Sequence, residues 1–302
     1  MDAFPLLYIG IPLGALALLR DGHRIAAACV SRPTFPGMRR LRAALGAAGA
    51  PVFARPDLDD PALQAILRSA KPALGVSCFW HRRVPAAVRE LGRSGAIGVH
   101  PSLLPRHRGA DPVFWALRTG DAVTGATVHV LDDGYDTGPV LGARALPIDP
   151  RWNAHALAHA LDAVALGALV EVCGRLARGQ TVTPVAQDEA RATPAPEPTE
   201  DDLEIRWALP SAEILRLVRA AAPAPGAFSS HEDRTVTILS ASATALRLEP
   251  GTAAVVDGGV VVGTGDVAVR LDAVRIDDED EVLRGPAVAT AVPGASDLRG
   301  RR

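Results

Sequence analysis

Over roughly its first 180 residues the chain alternates short apolar runs with amphipathic segments, and that alternation leaves few folds open. Leu6–Gly10 reads as a strand and Pro12–Asp21 as a helix; Arg24–Val30 is a second strand, and a helix over Met38–Ala48 leads into Val52-Phe53-Ala54. A helix at Pro61–Ser69 precedes the apolar run Ala73–Phe79, and Pro85–Gly92 is helical before Ala96–His100. Strand and helix taken in turn imply an α/β fold with a parallel sheet covered on both faces. Ligands of such sheets sit at the carboxyl ends of the strands, so His100, which ends one, stands where a site is expected.

A helix follows at Pro112–Thr119. Thr124–Leu131 and Val140–Leu146 then read as a strand pair joined by the loop Asp132–Pro139, and a long helix over Asn153–Arg178 closes the first domain, residues 1–185. Residues 186–201 are Pro-rich and polar, the composition of a linker. In residues 202–302 a helix at Ser211–Ala220 is followed by short β-like runs at Thr235–Leu239, Ala245–Leu248, Ala253–Val256, Val260–Val262 and Val267–Val274. These suggest a small β-barrel of the OB-like kind, with a frayed tail at 295–302.

The totals narrow the function. A formal net charge of −2 argues against broad phosphate neutralisation. Lys71 is the only lysine, which reads as codon bias of a GC-rich genome. Cys29, Cys78 and Cys173 form no C-x-x-C pair and suit buried thiols in a reducing compartment. With no leader pattern at Met-Asp-Ala-Phe-Pro and no run of about 20 apolar residues, a cytoplasmic protein without a membrane span is expected.

The densest signal is residues 98–142, GVHPSLLPRHRGADPVFWALRTGDAVTGATVHVLDDGYDTGPVLG. It holds a histidine at a strand end, a Pro-rich loop, and an acidic loop with Asp132, Asp133 and Asp136, its backbone bent at Gly134 and Gly138. A histidine with a carboxylate partner is the usual general-base arrangement, because the carboxylate fixes the tautomer and stabilises the imidazolium. Taken alone, the same residues also suit a capping histidine and a turn aspartate. Other patterns carry less. His155 and His159 have metal-ligand spacing but no H-E-x-x-H, which leaves no metal expected; Gly10 and Gly14 do not make G-x-G-x-x-G; and Asp277–Glu281 reads as a solvated acidic loop.

Taken together, Ser102-Leu103-Leu104-Pro105, Arg108-Gly109 and Asp136-Thr137-Gly138 closely resemble the motifs of the 10-formyltetrahydrofolate-dependent formyltransferases. The stretch Ser211–Phe228 resembles the start of that family's OB-like C-terminal domain. The resemblance implies a Rossmann-like catalytic domain and formyl transfer from 10-formyltetrahydrofolate to an amine, with His100 stabilising the tetrahedral oxyanion and relaying protons and Asp136 orienting His100. It implies folate contacts from Phe79, Trp80, Arg82, Val84, Ser102, Leu104, Leu131, Asp132, Asp133 and Gly134. For Phe79 and Trp80, core packing is the competing reading.

The family's N-x-H motif has its Asn at the position of Gly98. Loss of one oxyanion donor typically costs about 10²–10³ in rate. Three readings stay open: a substitute donor (a backbone N–H, a water, or Ser77 or Cys78 on the neighbouring strand), altered one-carbon or acyl chemistry including hydrolysis, or ligand binding without catalysis. As acceptor a small-molecule amine is expected, such as an amino sugar, a hydroxyornithine or a natural-product intermediate, and tRNA is not. The grounds are a short connection at Arg32–Gly37, the Asp111–Trp115 stretch, and 16 Asp+Glu against 11 Arg in residues 201–302.

Overall fold

The structure is a computed structural model, and it describes residues 4–31, 34–231, 234–277 and 281–291. The 295–302 tail, the centre of the acidic run at 277–281 and the first two residues of the 32–37 connection lie outside them. The chain divides into two compact units. One comprises Met1–Ala110, Val123–Pro147 and Ala160–Pro194, and the other Asp111–Ala122, Ile148–His159 and Ala195–Arg302.

The first unit is built on seven strands: β1 (Leu6–Gly10), β2 (Ile25–Val30), β3 (Val52–Ala54), β4 (Leu74–Cys78), β5 (Ala96–His100), β6 (Val123–Val130) and β7 (Val140–Pro147). Their order is β3-β2-β1-β4-β5-β6-β7. Pairings from β3 through β5 are parallel, and β6 and β7 are added antiparallel. The strand order reverses between β1 and β4, the place where open α/β sheets hold ligands. Helices α1 (Pro12–Arg20), α2 (Met38–Ala47), α3 (Pro61–Ser69) and α4 (Ala86–Arg89) connect the parallel strands. Asp60 caps α3 through the amide of Ala62, with Pro61 opening the first turn.

Period-two alternation along β1 buries both faces of the sheet. Leu6 and Tyr8 join one core cluster with Leu18, Leu41, Leu45, Val76 and Leu169; Leu7 and Ile9 join another with Ala27, Leu63, Leu67 and Val88. All three cysteines are buried and free.

The short helix α5 (Pro112–Thr119) is followed by α6 (Ala154–Ala177). Contrary to expectation, α6 is long and apolar enough to cross a membrane. Leu161, Ala165, Ala168, Leu169, Val172 and Cys173 form a buried stripe along it at three- and four-residue spacing, as a core helix requires. His155 and His159 are exposed on the same helix.

In the second unit α7 (Glu200–Leu203) and α8 (Ser211–Ala221) precede an antiparallel sheet of β8 (Ala227–His231), β9 (Arg234–Ala243), β10 (Ala253–Val256), β11 (Gly259–Val262), β12 (Val269–Ile276) and β13 (Leu283–Arg284). The path is β10-β11-β12-β9-β8, with β13 on β12. The sequence pattern missed β8, whose Ser-Ser-His end lacks apolar alternation, and placed a strand at 245–248, where the chain has none. Helix α5 packs on α8 within this unit, which explains why residues 111–122 group here and not with the first 110. Residues 187–194, expected as linker, are hydrogen-bonded to the first unit's own loops: Thr193 Oγ1 accepts from the His107 amide, and the Arg108 amide donates to the Thr193 carbonyl.

Candidate active site

His100 ends β5 and is 5% exposed. Its Nε2 lies 2.7 Å from the His107 carbonyl oxygen, and since a carbonyl only accepts, that nitrogen carries a proton. Its Nδ1 faces Asp136 Oδ2 at 3.4 Å. Burial lowers the His100 pKa, against the upward pull of the Asp136 charge and the His107 carbonyl.

Asp136 stands between two imidazoles. Its Oδ1 lies 3.5 Å from His129 Nε2, while Oδ2 also accepts from the Gly109 amide at 3.0 Å. Burial works to raise its pKa, but the His129 contact, the His100 and His129 charges and the Gly109 amide outweigh it and hold the carboxyl below its ordinary range. Asp136 adopts φ 56°, a left-handed conformation held by two-sided bonding of the acidic loop. Gly138 admits no side chain, since a Cβ there would meet the Val130 carbonyl oxygen at 1.9 Å.

The loop after β5 is fixed by a buried hydroxyl network. Thr127 Oγ1 donates to the Ser102 carbonyl at 2.7 Å and accepts from the Leu104 amide at 3.0 Å; Ser102 Oγ donates to the Arg106 carbonyl at 2.6 Å. Ser102 and Leu104 therefore hold the loop that carries His107. Across the acidic loop, Asp132 Oδ1 accepts from Thr137 Oγ1 and the Gly134 amide, and exposed Asp133 pairs with Arg89. Arg108 forks onto Glu189 and also reaches Gln187 Oε1.

Phe79 and Trp80 leave β4 beside this region, Phe79 at φ 53°. Both are partly buried against core clusters, and the Trp80 indole N–H is buried without an acceptor. Val84 is core, packed among Leu58, Leu63 and Val88, whereas Arg82 is exposed.

At Gly98 a Cβ would meet Leu131 Cδ2 at 2.8 Å and His129 Nε2 at 3.4 Å. Ser77 pairs with Gly98 in register, but the three atoms nearest the missing Cβ all belong to Leu131 and His129. Cys78 turns away, its sulfur lying against Gly14 and Tyr8. His129 thus belongs to the site although its sequence context, inside an apolar strand, singled out only its neighbours. The available signal was its position seven residues before Asp136 on the strand that feeds the acidic loop.

A Rossmann-like sheet with a histidine–carboxylate cluster at its strand ends, followed by an antiparallel domain, is a two-domain architecture with a candidate proton-handling site. Residues 26–173 match the family described as formyl transferase, and residues 198–283 match the formyl transferase C-terminal domain. The methionyl-tRNA formyltransferase of Anaeromyxobacter sp. (strain K) is 35% identical over 311 residues, covering 98% of this chain and 97% of that protein. That of Dehalococcoides mccartyi is 32% identical over 315 residues, covering 100% and 97%. The crystal structure of HypX from Aquifex aeolicus in complex with tetrahydrofolic acid has the same fold, with a TM-score of 0.65 at 21% identity over 95% of this chain and 46% of that one. The chain belongs to the formyl transferase family and is an enzyme of that class.

These relatives overturn the expectation of a small-molecule amine and no tRNA. A net charge averaged over residues 201–302 does not locate the arginines within them. Arg206 and Arg216, with Arg118, line one cleft of about 520 Å³, together with Asp201, Asp202, Glu204 and Glu213.

Proposed function

We propose that this enzyme transfers a formyl group from 10-formyltetrahydrofolate to the amino group of methionyl-tRNA. The observation that carries the chemistry is Asp136 held 3.4 Å from His100 and 3.5 Å from His129 at the ends of β5 and β6. The acceptor rests on relatives named as methionyl-tRNA formyltransferases that align over nearly all of both chains.

Bound folate supplies the activated formyl group. Trp80 fits such a ligand, offering an unpaired indole donor beside the loop where the polar pterin ring is expected. His100 and Asp136 form the proton-handling pair. Ionised Asp136 stabilises a proton arriving on His100 Nδ1, and the buried, readily deprotonated imidazole passes it on.

The test is formylation of methionyl-tRNA by the purified protein with 10-formyltetrahydrofolate, with His100→Ala as the control. Transfer by the native enzyme and its loss of about 10²-fold or more in the variant support both donor and roles. Donor consumption without formylated tRNA would remove the acceptor; equal activity in His100→Ala would remove the role of His100.

A further inference from the structure

We infer that His129 supplies the oxyanion contact that a side chain at position 98 cannot give; this deepens the formyl-transfer reading and rests on it. Gly98 and His129 are direct cross-strand partners on antiparallel β5 and β6. His129 Nε2 stands 3.4 Å from the point where a Cβ on Gly98 would begin. The place a side chain would take is filled by the end of the Leu131 side chain, a rotatable group only partly buried.

The hydrogen bonding of His129 prepares it to donate. Its Nδ1 lies 2.9 Å from the Val130 carbonyl oxygen and its Nε2 3.5 Å from Asp136 Oδ1, so both ring nitrogens face acceptors. At 3.5 Å an Nε2–H would be only loosely engaged by the carboxylate, and an oxygen that turns the Leu131 end aside beside Gly98 can share it. Cys78 turns its sulfur to Gly14 and Tyr8, and the His129 ring stands nearer the missing Cβ than Ser77 does.

In the reaction the amine nitrogen bonds to the formyl carbon, and the carbonyl π pair moves onto oxygen, where the His129 Nε2–H receives it. Collapse restores C=O and breaks the bond from the formyl carbon to N10. One proton leaves the amine and one arrives on N10, passing through His100, so His129 keeps its own. Asp136 then serves both imidazoles, one that moves a proton and one that holds a dipole in place.

A double-mutant cycle tests the assignment. His129→Phe in the native background is expected to lower kcat by about 10²–10³. In the Gly98→Asn/Leu131→Ala background, where the new amide has room, the same change is expected to cost less than about tenfold, because the amide takes over. Equal cost in both backgrounds, or no cost in either, overturns the assignment. His129→Gln, which keeps an N–H donor, is expected to retain more than about a tenth of the native rate and serves if the Phe variant does not fold.

Binding gives a readout free of turnover. Calorimetry compares 10-formyl-5,8-dideazafolate with the same compound lacking its formyl group. The preference for the formylated compound should shrink about three- to tenfold in His129→Phe or His129→Gly; an unchanged preference rules out contact with the formyl oxygen. Native enzyme that transfers formyl to neither methionyl-tRNA nor water, and shows no such preference, ends the formyl-transfer reading and this one together. Turnover with a dispensable His129 ends only this one.

Discussion

The side-chain amide of Gln187 donates to the main-chain carbonyl of Asp136 at 2.8 Å and to that of Gly138 at 2.7 Å. Its oxygen accepts from the Arg108 guanidinium. A residue from the segment that reads as linker thus clamps the loop that presents the central carboxylate. Gln187→Leu leaves both carbonyls unpaired and frees the strained φ of Asp136. Misplacement of a catalytic group by about 1 Å can cost about 10²-fold, so a ten- to hundredfold fall in kcat is expected. Steady-state formyl transfer checks it; a native kcat would mean the loop holds itself.

Asp136→Asn removes the charge shared by His100 and His129 while keeping side-chain shape. The expected loss in kcat is about 10²–10⁴, with the KM for the folate donor changed little. A rise in KM with kcat intact would instead make Asp136 a binding residue.

Thr127→Val deletes the hydroxyl that serves both the Ser102 carbonyl and the Leu104 amide in a fully buried position. Leaving the buried Ser102 carbonyl and the part-buried Leu104 amide unpaired is expected to cost about 1–3 kcal/mol. Denaturant titration of the two proteins measures it, and a difference under about 0.5 kcal/mol would show that the loop re-pairs.

The pKa of His100 is lowered in the fold, so the unfolded chain takes up that proton first and stability falls as pH drops below the ordinary histidine value of 6.5. Asp136 is shifted down as a carboxylate. Its contribution is present above its ordinary value of 3.8 and is lost as pH falls through its lower folded value. The windows are therefore separate. Melts from about pH 7.5 to about pH 5 should show a decline in the native protein that is smaller in His100→Gln. Identical slopes would mean His100 is not the group responsible.

What the sequence made legible follows from range. Each parallel strand is a local apolar run between a helix stop and a helix start, so Leu6–Gly10 and Ala96–His100 could be placed to the residue. His100 and Asp136 stood out as candidates through the motifs around them, since a strand end and a Gly-flanked acidic loop alone also suit a capping histidine and a turn aspartate. His129 was hidden because its place depends on β6 running antiparallel beside β5 and bringing it opposite Gly98, a pairing that no local pattern states. Gln187 was hidden for the same reason, reaching the acidic loop across 51 residues of chain. The expectation of a small amine rested on a net charge summed over a whole domain, a quantity that could not anticipate relatives named as methionyl-tRNA formyltransferases.

The flank at Gly98 is closed only by the end of the Leu131 side chain, and this bears on what can enter. A folate analogue with a small branch aimed at this strand would have to turn aside the Leu131 Cδ2 methyl and no main-chain atom. The missing side chain thus hands the shape of this wall to one rotatable group, so that substitution at Leu131 resizes it without touching the strand.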